Sequence, residues 1–84
     1  MKILIVDDDE SLSLIFETSL QKNGFQTVLA LNGKTGIDKA QTEKPDLILL
    51  DQVLPDIPGN EILKTLKADS KTQSIPIIIL SNFS

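Results

Sequence analysis

Apolar residues fall along this chain in two alternating patterns. Lys2 to Val6 is a brief, branched aliphatic run that stops at a block of acids, the signature of a strand buried on both faces. From Glu10 to Asn23, Leu12, Ile15, Phe16 and Leu20 recur at helical spacing. That spacing predicts an amphipathic helix with these four in one buried stripe, and Gly24 stands where a left-handed C-terminal cap is wanted. Phe25 to Leu29, aromatic and β-branched, predicts a second strand; Asn32-Gly33 marks a turn before a weaker helical stretch through Ile37 and Ala40.

Lys44-Pro45-Asp46 ends that helix, and Leu47 to Leu50 is a second fully apolar run, closed by Asp51. Leu54-Pro55-Asp56-Ile57-Pro58-Gly59 reads as a loop, followed by a helix that buries Ile62, Leu63 and Leu66. Ser74 to Leu80 predicts a fourth strand, with Pro76 near its start, where a missing N–H is tolerated. Strand and helix alternate strictly. This predicts an α/β fold, an open parallel sheet with right-handed crossovers and helices on both faces, and it argues against a bundle or a sandwich.

The alternation predicts where chemistry can occur. Strands of a parallel sheet all end on one edge, so Asp7 and Asp8, after the first strand, and Asp51, closing the third, are expected to converge there. Like charges so close raise one another's pKa unless a cation intervenes. With only oxygen ligands on offer, the expected ion is hard, Mg2+ or Mn2+, held by one or two carboxylates and several waters. Acids at strand ends are also commonly no more than solvated loop residues. Here three of them meet on one expected edge, which favours a site. Lys2 and Lys34 read as solvated surface charges.

Composition narrows the remaining choices. With 84 residues, 40% of them apolar and the charges spread along the chain, the expectation is one small globular domain of thin stability. A net charge of -4 without a basic block argues against nucleic-acid binding by this segment. The absence of cysteine and histidine leaves carboxylates, hydroxyls, amines and backbone to do any chemistry. The apolar runs are too short to span a bilayer and no signal-peptide pattern opens the chain, so a cytoplasmic location is the expectation.

Several segments resemble the receiver domain of bacterial two-component response regulators. Ile3-Leu4-Ile5-Val6-Asp7-Asp8-Asp9 is similar to the opening strand and acid pair of that family. Pro45-Asp46-Leu47-Ile48-Leu49-Leu50-Asp51 is similar to the strand that carries its phosphoacceptor. Leu54-Pro55 and Gly59 match the loop after that aspartate, and Ile75-Pro76-Ile77-Ile78-Ile79-Leu80-Ser81 looks like the fourth strand and its switch hydroxyl. The resemblance covers the whole chain.

The resemblance implies a flavodoxin-like sheet of order 2-1-3-4 and a phosphoacceptor signalling module, not an enzyme. It implies Asp51 as phosphoacceptor, with Mg2+ held by Asp7, Asp8, Asp51 and the backbone carbonyl of Val53. Ser81 would bind the attached phosphoryl group, and a sensor histidine kinase would donate it.

The family's fifth strand, with a lysine that pairs with the phosphoryl group, and two flanking helices are expected beyond Ser84. Residues 1–84 thus read as a receiver domain incomplete at its C-terminus. The fourth strand would then be an apolar edge, and self-association through it is expected. Asn82 stands where the family usually has a small apolar residue, and Pro58 where an acid or hydroxyl is common.

Two other readings compete. A receiver-derived fragment could serve assembly with an idle acidic site. A small metal-dependent phosphatase could use Asp51 as nucleophile, but such enzymes generally want a second acid two residues on, where Val53 stands.

Overall fold

The computed structural model describes residues 1–80. Among the described residues seven elements alternate: β1 (Lys2–Val6), α1 (Glu10–Lys22), β2 (Gln26–Ala30), α2 (Gly33–Glu43), β3 (Leu47–Asp51), α3 (Gly59–Ala68) and β4 (Ile77–Leu80). The strands form one parallel sheet of order β2-β1-β3-β4. This is the architecture expected from the alternation of strands and helices, in the order that the resemblance implied.

The chain steps one way from β1 to β2 and the other way from β2 to β3 and from β3 to β4. Because parallel crossovers keep one hand, opposite steps place their helices on opposite faces. The main core reflects this. Leu4, Val6, Ile48 and Leu50, alternate residues of β1 and β3, pack with Ala40 of α2 and Ile62 and Leu66 of α3. Ile3 and Ile5 point the other way, toward the α1 side, and are also buried. Strand β1 is buried on both faces, whereas β3 buries Ile48 and Leu50 on the α2–α3 face and leaves Leu47 and Leu49 half-buried on the other.

Helix α1 departs from the expected stripe. Leu12 and Ile15 are 40% and 64% exposed, and the residue that turns inward is Ser13, 1% exposed. The inward line runs through buried Ser13 and half-buried Phe16 and Leu20, which keeps the helical spacing but begins one position later. A small side chain at the closest approach lets the helix lie near the strand end, and the Ser13 hydroxyl faces the Asp7 carbonyl oxygen at 3.5 Å. A pattern search that counts only apolar residues does not register a serine.

Smaller corrections concern boundaries and one charge. Strand β2 begins one residue later than expected, β4 begins at Ile77, and Gly59 belongs to α3 and not to the loop before it. Lys2 is not a free surface charge: its ammonium group meets Glu43 Oε1 at 3.2 Å, and its backbone N–H donates to Asp46 Oδ2 at 2.8 Å. These contacts fasten the start of β1 to the turn entering β3. Gly24 lies past the end of α1 with φ +87°, as its capping position requires.

Candidate functional site

The sheet order reverses between β1 and β3, and their carboxyl ends carry the acids. Asp7 follows β1 directly and Asp51 is the last residue of β3. One carboxylate oxygen from each of Asp7, Asp8 and Asp51 lies within 4.8 Å of the other two. They share a cleft of about 290 Å³ with Asp9, Leu12, Val53 and Leu80. Thus the two aliphatic runs deliver their terminal aspartates to one pocket, and Val53 lines that same pocket. Ser81 and Asn82 lie outside the described residues.

Local structure fixes each acid differently. Asp9 is the N-cap of α1, its Oδ1 accepting the Leu12 N–H at 3.1 Å. Its own N–H donates to Asp7 Oδ1 at 3.0 Å, so the cap also orients Asp7. Asp8 stands between them, exposed. Beyond Asp51, the Val53 N–H donates to Asp51 Oδ1 at 3.4 Å, and the Gly59 N–H donates to the Gln52 carbonyl oxygen at 3.0 Å. Gly59 is required at this closure, because a Cβ there would lie 2.8 Å from Gln52 Cα and 2.9 Å from the Asp51 carbonyl oxygen. Backbone leaves no room to yield.

The electrostatics are those of a site that wants a cation. Asp7 is only 3% exposed. Burial pushes its carboxyl above the ordinary 3.8, and the charges of Asp51, Asp8 and Asp9 add to this, while the Asp9 N–H pulls the other way. Among the described residues no lysine lines the cleft. Every side-chain donor in the cluster is a hard carboxylate oxygen, the kind that suits Mg2+. Asp7, Asp8 and Asp51 would hold such an ion, which would offset the repulsion among their charges.

Sequence reasoning missed three residues here. Asp9 was legible as a cap, since it precedes a helical pattern. Leu12 was assigned to the core, yet it lines the rim of the cleft. Asp56, outside the cleft lining, was read only as part of a loop; two of its three donors lie 22 and 23 residues away, a separation that no local pattern reveals.

Comparison with known proteins agrees with this geometry. Residues 3–84 match the family model of the response regulator receiver domain. The chain is 40% identical over 80 residues to the alkaline phosphatase synthesis transcriptional regulatory protein PhoP of Bacillus subtilis, covering 95% of this chain and 32% of that protein. It is 39% identical to protein PilH of Pseudomonas aeruginosa, covering 95% of this chain and 66% of the relative. Among solved structures, the N-terminal domain of a response regulator receiver protein from Methanoculleus marisnigri superposes with a TM-score of 0.92 at 32% identity. That match covers 95% of this chain and 65% of the other. Chemotaxis protein CheY4 of Vibrio cholerae gives 0.91 at 30% identity, covering 99% and 69%.

The chain thus spans about a third of the first of these relatives and about two thirds of the second. Among the described residues no helix is long and apolar enough to cross a membrane. A four-stranded parallel sheet of order 2-1-3-4, an acidic cluster at its switch point and a family match over nearly every residue lead to one assignment: this chain belongs to the response regulator receiver domain family, whose members are phosphoacceptor modules rather than enzymes in the ordinary sense.

Proposed function

We propose that this chain takes a phosphoryl group onto Asp51 as a step in a two-component phosphorelay. The observation that carries the reading is the convergence of Asp7, Asp8 and Asp51 within 4.8 Å at the switch point of the sheet. Asp7, Asp8, Asp51 and the carbonyl of Val53 would hold Mg2+, which when bound neutralises charge on the transferring oxygens. Asp51 supplies the nucleophile. One of its carboxylate oxygens forms a bond to phosphorus as the bond from phosphorus to the donor's leaving atom breaks. The leaving group keeps the electron pair and takes up a proton. Asp9 and Ser13 orient this chain's side of the reaction, holding Asp7 through its side chain and its carbonyl respectively. Ser81 is the hydroxyl proposed to meet the attached group.

A histidine kinase is the proposed donor, and the surface beside the cleft suits a protein partner. Leu12 on the rim, Leu14 and Ile15 on the same helix and Val53 across the cleft are all exposed large apolar residues. Clustered exposed apolar side chains commonly mark an interaction surface. A cytoplasmic location accompanies this reading.

The direct test is mass spectrometry after incubation with Mg2+ and acetyl phosphate. The expected result is a gain of one phosphoryl group, sensitive to hydroxylamine and absent in Asp51→Asn. No gain with the native chain, or an undiminished gain in the variant, overturns the assignment.

The sheet edges support a second proposal, self-association through β4. On the β2 edge, the Lys39 ammonium donates to the Leu29 carbonyl oxygen at 2.6 Å, a cation placed on an outward-facing strand group. A lysine on an edge discourages pairing with another chain. Strand β4 is four aliphatic residues, Ile78 is 51% exposed, and among the described residues no strand pairs with its outer side. A second copy adding edge to edge there would form an isologous dimer. Light scattering of the 84-residue chain is expected to give a mass above the monomer's 9.2 kDa, and Ile78→Lys is expected to return it to monomer. A monomeric native chain at high concentration ends this proposal.

A further inference from the structure

Asp56 lies outside the acidic cluster and does not line its cleft. Its two carboxylate oxygens nevertheless accept three backbone donors. Oδ1 takes the Gly33 N–H at 2.7 Å and its neighbour Ile57 N–H at 2.9 Å, and Oδ2 takes the Lys34 N–H at 2.9 Å. Gly33 and Lys34 are the first two residues of α2, whose own N-cap, Asn32, accepts the Thr35 N–H with its side-chain oxygen at 2.8 Å and the Gly36 N–H with its carbonyl at 3.0 Å, leaving these two donors unmet. The first turn of a helix leaves amide donors without intrahelical partners. Here a carboxylate from the loop after β3 satisfies two of them.

The consequence lies in the loop. Residues 52–58 join Asp51 to α3, and the Gly59 N–H closes them onto Gln52. Asp56 pins the same loop at its far side to α2, an element that approaches from β2. Gly33 makes the close approach possible. A Cβ there would meet Ile62 Cδ1 at 2.9 Å, Ile57 Cβ at 3.0 Å and Asp56 Oδ1 at 3.1 Å, so any side chain at Gly33 would press the loop away. Between the two fastenings lies Val53, exposed on the cleft wall. Its position relative to Asp51 depends on both.

We infer that Asp56 is a positioning residue for the cation and phosphoacceptor site, acting by clamping the β3–α3 loop to the N-terminus of α2 and so setting where the Val53 backbone stands beside Asp51. The inference rests on the receiver reading given above, since it assumes that Val53 offers a ligand. It adds a residue outside the cluster whose loss is expected to weaken metal binding without removing any carboxylate from the cleft. It also joins α2 to the site through two hydrogen bonds, so that a change at the α2 N-terminus is felt at Val53.

The test compares two variants that injure the same helix end. Asp56→Ala frees the loop and leaves the Gly33 and Lys34 donors to solvent. Asn32→Ala removes the cap on Thr35 but leaves the loop clamped. Both are expected to lower Tm. Only Asp56→Ala is expected to raise the Kd for Mg2+, by about 10-fold, the lower end of what is lost when a residue supporting a ligand is removed. Asn32→Ala is expected to stay within about 2-fold, because its cap bonds nothing in the loop.

Asp56→Asn keeps an acceptor for Gly33 and loses the one for Lys34. It is expected to fall between, and it serves as the readout should the alanine variant not fold. Equal Kd values in native chain and Asp56 variants overturn the inference while leaving the receiver reading intact, and equal weakening in the Asp56 and Asn32 variants also overturns it, in favour of general destabilisation. A native chain that takes up no Mg2+ instead overturns the proposed metal-dependent phosphoacceptor role, and this inference with it.

Discussion

Asp7→Asn is expected to make the metal-free chain more stable and at the same time to abolish its response to Mg2+. In the native chain the Asp7 carboxylate is buried beside Asp51, Asp8 and Asp9, and its pKa is raised in consequence. A raised folded-state pKa for an acid means that the native state holds its proton more tightly than the unfolded chain does. Stability therefore falls as pH climbs from the ordinary 3.8 through the raised value, and above that the penalty is constant. Asparagine removes the charge, keeps the shape, and still offers an oxygen to the Asp9 N–H. Each kcal/mol so gained raises Tm by roughly 4–8 °C in a domain this small.

Mg2+ reverses the order of the two proteins. An ion that binds only the folded chain stabilises it by about 2.7 kcal/mol at a hundred times its Kd. Losing a residue that merely supports a ligand costs about 10–100-fold in metal affinity. Losing a proposed ligand is expected to exceed that range. Thermal melts with and without Mg2+ should cross: the variant higher in chelator, the native chain higher in saturating Mg2+. A native melt indifferent to Mg2+, or a variant less stable in chelator, contradicts the expectation. Asp56 carries the opposite pH sign. The Lys34 and Gly33 N–H groups hold its carboxyl below 3.8, so its contribution is present above that value and disappears as pH falls through the lowered one.

How much of this could be read from the sequence depends on the kind of interaction. Runs such as Ile3 to Val6 and Leu47 to Leu50 announced buried parallel strands because burial on both faces demands aliphatics at every position. Parallel strands then forced their terminal aspartates to one edge, so the site's acids were legible as soon as the strands were. The strand order was not contained in the pattern and came from the resemblance to the receiver family. Asp56 was illegible for a physical reason: its acceptors meet donors on another element, and nothing near it in sequence differs from an ordinary turn. The inward turn of Ser13 was hidden because close packing there uses a small polar residue where a hydrophobic stripe expects leucine.

The rotation of α1 provides the second large effect, since it separates two identical truncations that the apolar pattern alone treats as alike. Ile48→Ala and Ile15→Ala each remove the same atoms from a residue expected to face the core. Ile48 is 0% exposed, lies in β3 between Leu4 of β1 and Ile77 of β4, and packs among Ile62 and Leu66. Its truncation is expected to cost about 3–4 kcal/mol, the transfer free energy of the lost methyl and methylene groups plus that of the cavity they leave. Ile15 is 64% exposed, and its truncation is expected to change stability by no more than about 0.5 kcal/mol.

A domain of this length has a total stability of roughly 4–13 kcal/mol. The first change therefore brings the chain close to unfolding, while the second leaves it intact. Urea denaturation followed by circular dichroism measures both midpoints. Equal costs would place Ile15 against the sheet and undo the assignment of Ser13 as the contact. The expected inequality leaves Ile15 on the exposed side of α1 and Ser13 as the residue that approaches the end of β1.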